Sequence, residues 1–279
     1  MENIAKGQPA SITIEESVDL IIFAGQSNMS GRGDANAAVK CDSNAGFEYK
    51  AISSPDTLLP ITEPFGLGED KEGALCDVSG GISKRTGSMV SAAVDEYYKR
   101  THRRVVAVSA SKGGTNTVEW LEKGLLADAI ERFDRAKQFL TDKHIHIGRT
   151  LVVWCQGESD GDAKRTAQAY TENVKRIFDE FKAHGAEKCF MIQTGHYNYV
   201  KYPGIGKGHT GAEWDAYYEI IRNAQAALCQ SDEDFVMAAS LEPYLWDMKD
   251  NFHYNQTTYN EVGRTVGEAI ARYLYKSLL

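Results

Sequence analysis

Val18-Asp19-Leu20-Ile21-Ile22-Phe23-Ala24 runs without interruption into Gly25-Gln26-Ser27-Asn28-Met29-Ser30-Gly31. The first seven residues form a short apolar run rich in β-branched and aromatic side chains, which reads as a buried strand. A strand passing straight into Gly-x-Ser holds a serine hydroxyl at the carboxyl edge of a sheet, where open α/β folds gather their sites. Gly-x-Ser is common, and Ser27 alone would read as the cap of a following helix. Its meaning depends on what else reaches the same edge.

Four more strand-like runs follow, at Arg104–Ser109, Thr150–Cys155, Lys188–Thr194 and Asp234–Ala239. Helical spacing fills the intervals, at Ser88–Arg100, Leu125–Leu140, Ala163–His184 and Ala212–Cys229, and again at Thr257–Leu279. This alternation predicts an α/β fold, a five-stranded parallel sheet with helices on both faces. Right-handed crossovers then bring all five strand ends to one edge. Residues 31–87 mix Gly, Pro, Asp and Ser without sustained periodicity. They are expected to form a long irregular insertion in one domain spanning residues 1–279.

The bulk properties narrow the function. Of 279 residues, 42% are hydrophobic and 25% charged, ordinary values for a globule with a real core. A net charge of -8 and a pI near 5.4 oppose binding to nucleic acid phosphates or to an acidic membrane surface. Cys41, Cys76, Cys155, Cys189 and Cys229 are odd in number and widely spaced, which predicts reduced thiols. The opening MENIAKGQPASITIEES has no apolar leader core, and no stretch approaches a membrane span. The expectation is a cytoplasmic protein; a leader already removed would leave the same trace.

Reading past each strand end is the decisive test. Gln26-Ser27-Asn28 follows the first, and Ser111-Lys112-Gly113-Gly114-Thr115 the second. Gln156-Gly157-Glu158-Ser159-Asp160 follows the third, and Gly195-His196-Tyr197 the fourth. A loop after the fifth carries Asp250-Asn251-Phe252-His253. This set suits acyl transfer. A serine needs a base to take its proton, and a carboxylate fixes the tautomer of a histidine base. Asp250 and His253 are three residues apart, so one turn can bring the carboxylate to Nδ1 while Nε2 faces Ser27. The tetrahedral oxyanion needs aimed N–H donors. The candidates are the Ser27 backbone, Gly114 (or its neighbour Gly113) and the Gln156 side chain. Gln26, Asn28 and His196 are candidate substrate contacts, with His196 read as pocket lining. His144 and His146 have metal-like spacing but no third ligand nearby, so no metal is assigned. Trp120, Trp214 and Trp246 fall in or near presumed rim loops, where exposed rings could stack on sugars.

GQSNMSG at 25–31, SKGGT at 111–115, WCQGESD at 154–160 and DNFH at 250–253 resemble, in order and content, the blocks of the SGNH/GDSL hydrolase superfamily. Within it they are most similar to the sialate O-acetylesterase-like branch, which includes carbohydrate esterase family six and its acetylxylan esterases. The resemblance implies a three-layer flavodoxin-like fold and a serine carbohydrate esterase that removes O-acetyl groups from acetylated xylan or sialic acid. It assigns Ser27 as nucleophile, His253 as base, Asp250 as its partner, and Gly114 and Gln156 as oxyanion donors. Glu158 is the alternative triad acid, since Trp154, Gln156 and Glu158 would share one face of an extended strand; the local i, i+3 spacing favours Asp250. No metal or organic cofactor is required, and the expected partner is the acetylated carbohydrate. Two other readings stand beside this one: a broader SGNH lipase, thioesterase or arylesterase, and a carbohydrate-binding module without catalysis.

Overall fold

Seven strands make the central sheet of the computed structural model, which describes residues 17–206 and 208–276. The expectations placed on the N-terminal sixteen residues and on the last three lie outside this range. The strands are β1 (Ser17–Gly25), β2 (Gly46–Lys50), β3 (Ser54–Pro60), β4 (Arg104–Ser111), β5 (His146–Cys155), β6 (Lys188–Gln193) and β7 (Phe235–Ser240). Their order across the sheet is β7-β6-β5-β1-β4-β2-β3. All neighbours are parallel except β3, which runs antiparallel to β2. The five expected strands form the contiguous block β7-β6-β5-β1-β4, in flavodoxin-like order.

The strand count of five is corrected to seven, because residues 31–87 contribute β2 and β3 to the same sheet. Both hide from a pattern search. Glu48 is buried in the middle of β2, and β3 carries Pro55 and Pro60, which only an edge strand tolerates.

The helices that position the site are α1 (Ser27–Ser30), α2 (Val90–Thr101), α3 (Thr117–Glu122) and α4 (Leu125–Asp142). They continue with α5 (Glu158–Asp162), α6 (Ala167–Ala183), α7 (Gly211–Ser231) and α8 (Gln256–Lys276). Side chains alternate across a strand, so β1 feeds two cores. Leu20, Ile22 and Ala24 pack on the face covered by α4, α6 and α7. Ile21 and Phe23 pack on the face covered by α2 and α8. Burying each such Ile or Phe contributes about 2 kcal/mol, which is why the run is apolar on both faces. Three layers result, and the central strand is held from both sides. The five cysteines form no disulfide. Among the described residues no helix is long and apolar enough to cross a membrane.

Candidate active site

β1 ends at Gly25, whose φ is 139°. A Cβ there would lie 2.0 Å from the carbonyl oxygen of Cys155 on β5, so the position admits only glycine. The Gln26 amide then donates to that same oxygen at 2.9 Å. The chain turns at once into α1, which opens on Ser27. As the first residue of a helix, Ser27 has a backbone N–H with no partner in the preceding turn.

His253 comes from the loop before α8, which is closed by an antiparallel bridge between Met248 and Tyr254. Within the loop Asp250 Oδ1 accepts the backbone N–H groups of Phe252 at 2.9 Å and His253 at 2.8 Å. Its other oxygen, Oδ2, lies 2.9 Å from His253 Nδ1. Nε2 of the same ring lies 2.9 Å from Ser27 Oγ. Partial burial opposes ionisation of Asp250, but the bond from the His253 ring and the two amides outweighs it and holds the carboxyl down at about 2. The structure thus brings together Ser27, His253 and Asp250 in one hydrogen-bonded line.

Glu158 also lines the cavity around Ser27 but bonds to a different partner. It opens α5, and its Oε1 accepts from Asn28 Nδ2 at 2.5 Å. Burial pushes its carboxyl up, despite the bond from Asn28. Asn28, expected to touch substrate, is instead fully buried. Its amide donates to Glu158 and to the Phe252 carbonyl at 3.1 Å, and its Oδ1 accepts from the Tyr259 hydroxyl at 2.7 Å. Both polar atoms of its side chain are occupied inside the protein.

Two more expected contacts are corrected. Gln156 is fully buried, and Nε2 donates to Asp160 Oδ2 at 2.6 Å, Gln26 Oε1 at 3.2 Å and the Thr115 carbonyl at 3.2 Å. Its amide faces the interior because a buried carboxylate outcompetes the cavity for a donor. His196 does not line the cavity around Ser27. Its Nδ1 lies 2.7 Å from Asp215 Oδ2, and Arg222 braces that carboxylate from 3.3 Å. The partner is nineteen residues away on α7, beyond any local spacing rule. Of the three tryptophans, Trp120 is core, Trp214 donates to Asp162 from α7 at 2.9 Å, and Trp246 is exposed.

The glycine pair follows β4. Gly114 has φ 71° with open space where a side chain would stand. Gly113 is crowded: a Cβ there would lie 2.4 Å from Arg32 Nη2 and 3.3 Å from Ser27 Cβ. The backbone N–H groups of Ser27, Gly113 and Gly114 meet no acceptor among the described residues. All three residues line a cavity of about 300 Å³, together with His253 and Gln26. Larger hollows, of about 540 and 500 Å³, lie elsewhere, and Ser27 and His253 line neither. Residues that sequence reasoning missed also line the cavity. Arg32 is held by Asp77 at 2.6 Å, and Asp162 accepts from Trp214 and Tyr218. Lys84 lines it too, and its ammonium has no partner among the described residues. Arg32 and Lys84 belong to the long segment after Ser27, where no motif marks them.

No curated protein matches the sequence. Among solved structures, a protein from Arabidopsis thaliana shares the fold at TM-score 0.61 and 18% identity, over 91% of this chain and 97% of its own. NanS does so at 0.56 and 12%, over 96% and 99%. A carbohydrate acetylesterase from Xanthomonas citri does so at 0.53 and 14%, over 92% of this chain and 57% of its own. The model of one family, carbohydrate esterase, sialic acid-specific acetylesterase, matches residues 17–272. This match takes in every strand of the sheet and every residue of the Ser27 cavity, so the chain belongs to that family of carbohydrate esterases and is a carboxylic ester hydrolase that acts as a carbohydrate O-acetylesterase.

Proposed function

We propose that Ser27 is the nucleophile, His253 the general base and Asp250 its partner in hydrolysis of O-acetyl sugars through an acetyl-enzyme. The observation that carries this reading is the His253 ring, 2.9 Å from Ser27 Oγ on one side and 2.9 Å from Asp250 Oδ2 on the other. Ser27 Oγ attacks the acetyl carbonyl carbon while His253 Nε2 takes the hydroxyl proton. The carbonyl oxygen becomes an oxyanion, met by N–H groups at Ser27 and at the Gly113–Gly114 turn. Collapse breaks the bond to the sugar oxygen, and His253 returns the proton to it. Water then loses a proton to His253 as it attacks acetyl-Ser27. Acetate leaves, and the serine hydroxyl is restored.

The family's description names sialic acid. The Lys84 ammonium supports that choice, since a sugar carboxylate could meet it, whereas acetylated xylan carries no such charge at its acetylated unit. The test is acetate release from O-acetylated sialic acid and from acetylated xylo-oligosaccharides, by wild type and by Ser27→Ala. Activity confined to the wild type supports the reading, and full turnover by Ser27→Ala removes it. An acyl series from acetate to octanoate separates an acetylesterase from a lipase or thioesterase. A fluorophosphonate probe should label Ser27, and a wild type left unlabelled there would remove Ser27 as the nucleophile.

A further inference from the structure

Gln26 Oε1 accepts three N–H groups: Gln156 Nε2 at 3.2 Å, Ser159 N at 3.2 Å and Gly157 N at 3.4 Å. Two of these donors are backbone amides, so the atom they surround is the carbonyl oxygen, and the remaining atom of the carboxamide is Nε2. Nε2 donates to no acceptor among the described residues, and it is not sealed in the interior as an orphan. Gln26 lines the Ser27 cavity while only 2% of the residue is exposed. A nearly buried carboxamide, with its oxygen saturated from behind, therefore presents only its N–H group to the cavity.

The residue expected in this role is turned away. Gln156 Nε2 is drawn to Asp160 Oδ2 at 2.6 Å. The Asp160 carboxylate is itself fully buried and bound by Thr117 and Arg165. Reversing the Gln156 amide would set its oxygen against that carboxylate, and swinging it outward would abandon a charge-assisted bond in a dry interior. Asp160 thus orients Gln156, Gln156 helps orient Gln26, and Gln26 reaches the cavity beside the nucleophile.

We propose that Gln26 Nε2 is the side-chain donor of the oxyanion hole and a catalytic residue, and that Gln156 is a positioning residue behind it. This rests on the acetyl-enzyme reading at Ser27. The segment Gln26-Ser27 then supplies two donors, one from a side chain and one from the backbone, and the Gly113–Gly114 turn supplies a third. The side-chain donor and the nucleophile are adjacent in sequence, so the geometry between them is set by one peptide unit.

Gln26→Glu is the sharpest test. It keeps an oxygen for the three N–H groups behind it and replaces the forward donor with an acceptor. The expected result is a kcat lower by about 10²–10³-fold, the range for losing one oxyanion donor, with KM nearly unchanged. Affinity for a trifluoromethyl ketone, whose adduct carries the oxyanion, should fall in proportion to kcat, while the melting temperature stays close to wild type. Gln156→Met removes the brace and keeps the donor, so its kcat should fall by about tenfold or less. Gln26→Met serves if Gln26→Glu fails to fold, and its expected losses are the same. The proposal is overturned if the folded Gln26 variant keeps kcat within about threefold, or if Gln156→Met loses more kcat and more ketone affinity than the Gln26 variant. Its failure is separable from failure of the Ser27 reading. An inactive Ser27→Ala with a fully active Gln26→Glu overturns only the Gln26 assignment, whereas an active Ser27→Ala removes the reading beneath it.

Discussion

Asp250 grips His253 twice, through Oδ2 to ring Nδ1 at 2.9 Å and through Oδ1 to the backbone N–H at 2.8 Å. The side chain and its own main chain are thereby fixed by one carboxylate. Glu158, the rival acid, gives its bonding oxygen to Asn28 and has no bond to His253 among the described residues. Asp250→Asn should therefore lower kcat by about 10⁴-fold, through loss of the correct tautomer. Glu158→Gln should cost less than about tenfold, because a glutamine oxygen can still accept from Asn28 and no bond to His253 is lost. Steady-state kinetics on an acetyl ester checks both. A collapse seen only in Glu158→Gln would reverse the assignment.

The pH dependence of stability follows from the same carboxylate. Its folded value of about 2 lies below the ordinary 3.8, so the unfolded chain takes up the proton first as acid is added. The stabilisation from Asp250 is fully present above about pH 4 and is lost as pH falls toward about 2. Urea midpoints of wild type and Asp250→Asn should differ at about pH 5 and converge near pH 2. A gap that widens in acid would contradict the depressed value. Any change in activity between about pH 5 and 8 must also come from a group other than Asp250, whose charge is constant there.

The two glycines after β4 should respond differently to alanine. At Gly113 the new methyl group would press on Arg32 and the Ser27 side chain, so Gly113→Ala should cost about 10²-fold or more in kcat. At Gly114 nothing blocks the methyl, but φ is 71°. Gly114→Ala should cost about 1 kcal/mol of stability from that backbone conformation and less activity than its neighbour. Paired denaturation and kinetic measurements distinguish strain from obstruction. Equal kcat losses without loss of stability would show that the asymmetry is not real.

Lys84 offers a test of the sugar. Its ammonium is exposed and unpaired among the described residues, so solvent weakens whatever it binds. Lys84→Gln should raise KM for O-acetylated sialic acid by a few-fold at low salt and leave KM for a neutral acetylated sugar unchanged. The difference should shrink as salt is added. An equal rise for both sugars would mean that Lys84 reads no carboxylate.

Much of this site is legible in the sequence, for physical reasons. Ser27 sits where a buried strand must end, and Asp250 and His253 lie one turn apart, so local geometry supplies their contacts. The β1 run announced itself because both faces of that strand are buried. β2 did not, because Glu48 interrupts its apolar pattern; burial pushes the Glu48 carboxyl up to about 8, an environment that no pattern reveals. The direction of an amide is equally invisible. Gln26 and Gln156 are the same residue type at neighbouring strand ends, and only Asp160 and the amides of Gly157 and Ser159 decide which one faces the cavity. The setting of His196 is hidden for a related reason, since Asp215 arrives from a helix nineteen residues later.

Asn28 joins the start of the chain to its end. One side chain there holds the Phe252 carbonyl and the Tyr259 hydroxyl while sitting next to Ser27. The reacting alcohol and its imidazole, 226 positions apart, are thus gauged against each other by a rigid spacer and not by the path the polypeptide takes between them. Surface loops along that path can lengthen, shrink or change character to suit a new sugar without detuning the reaction.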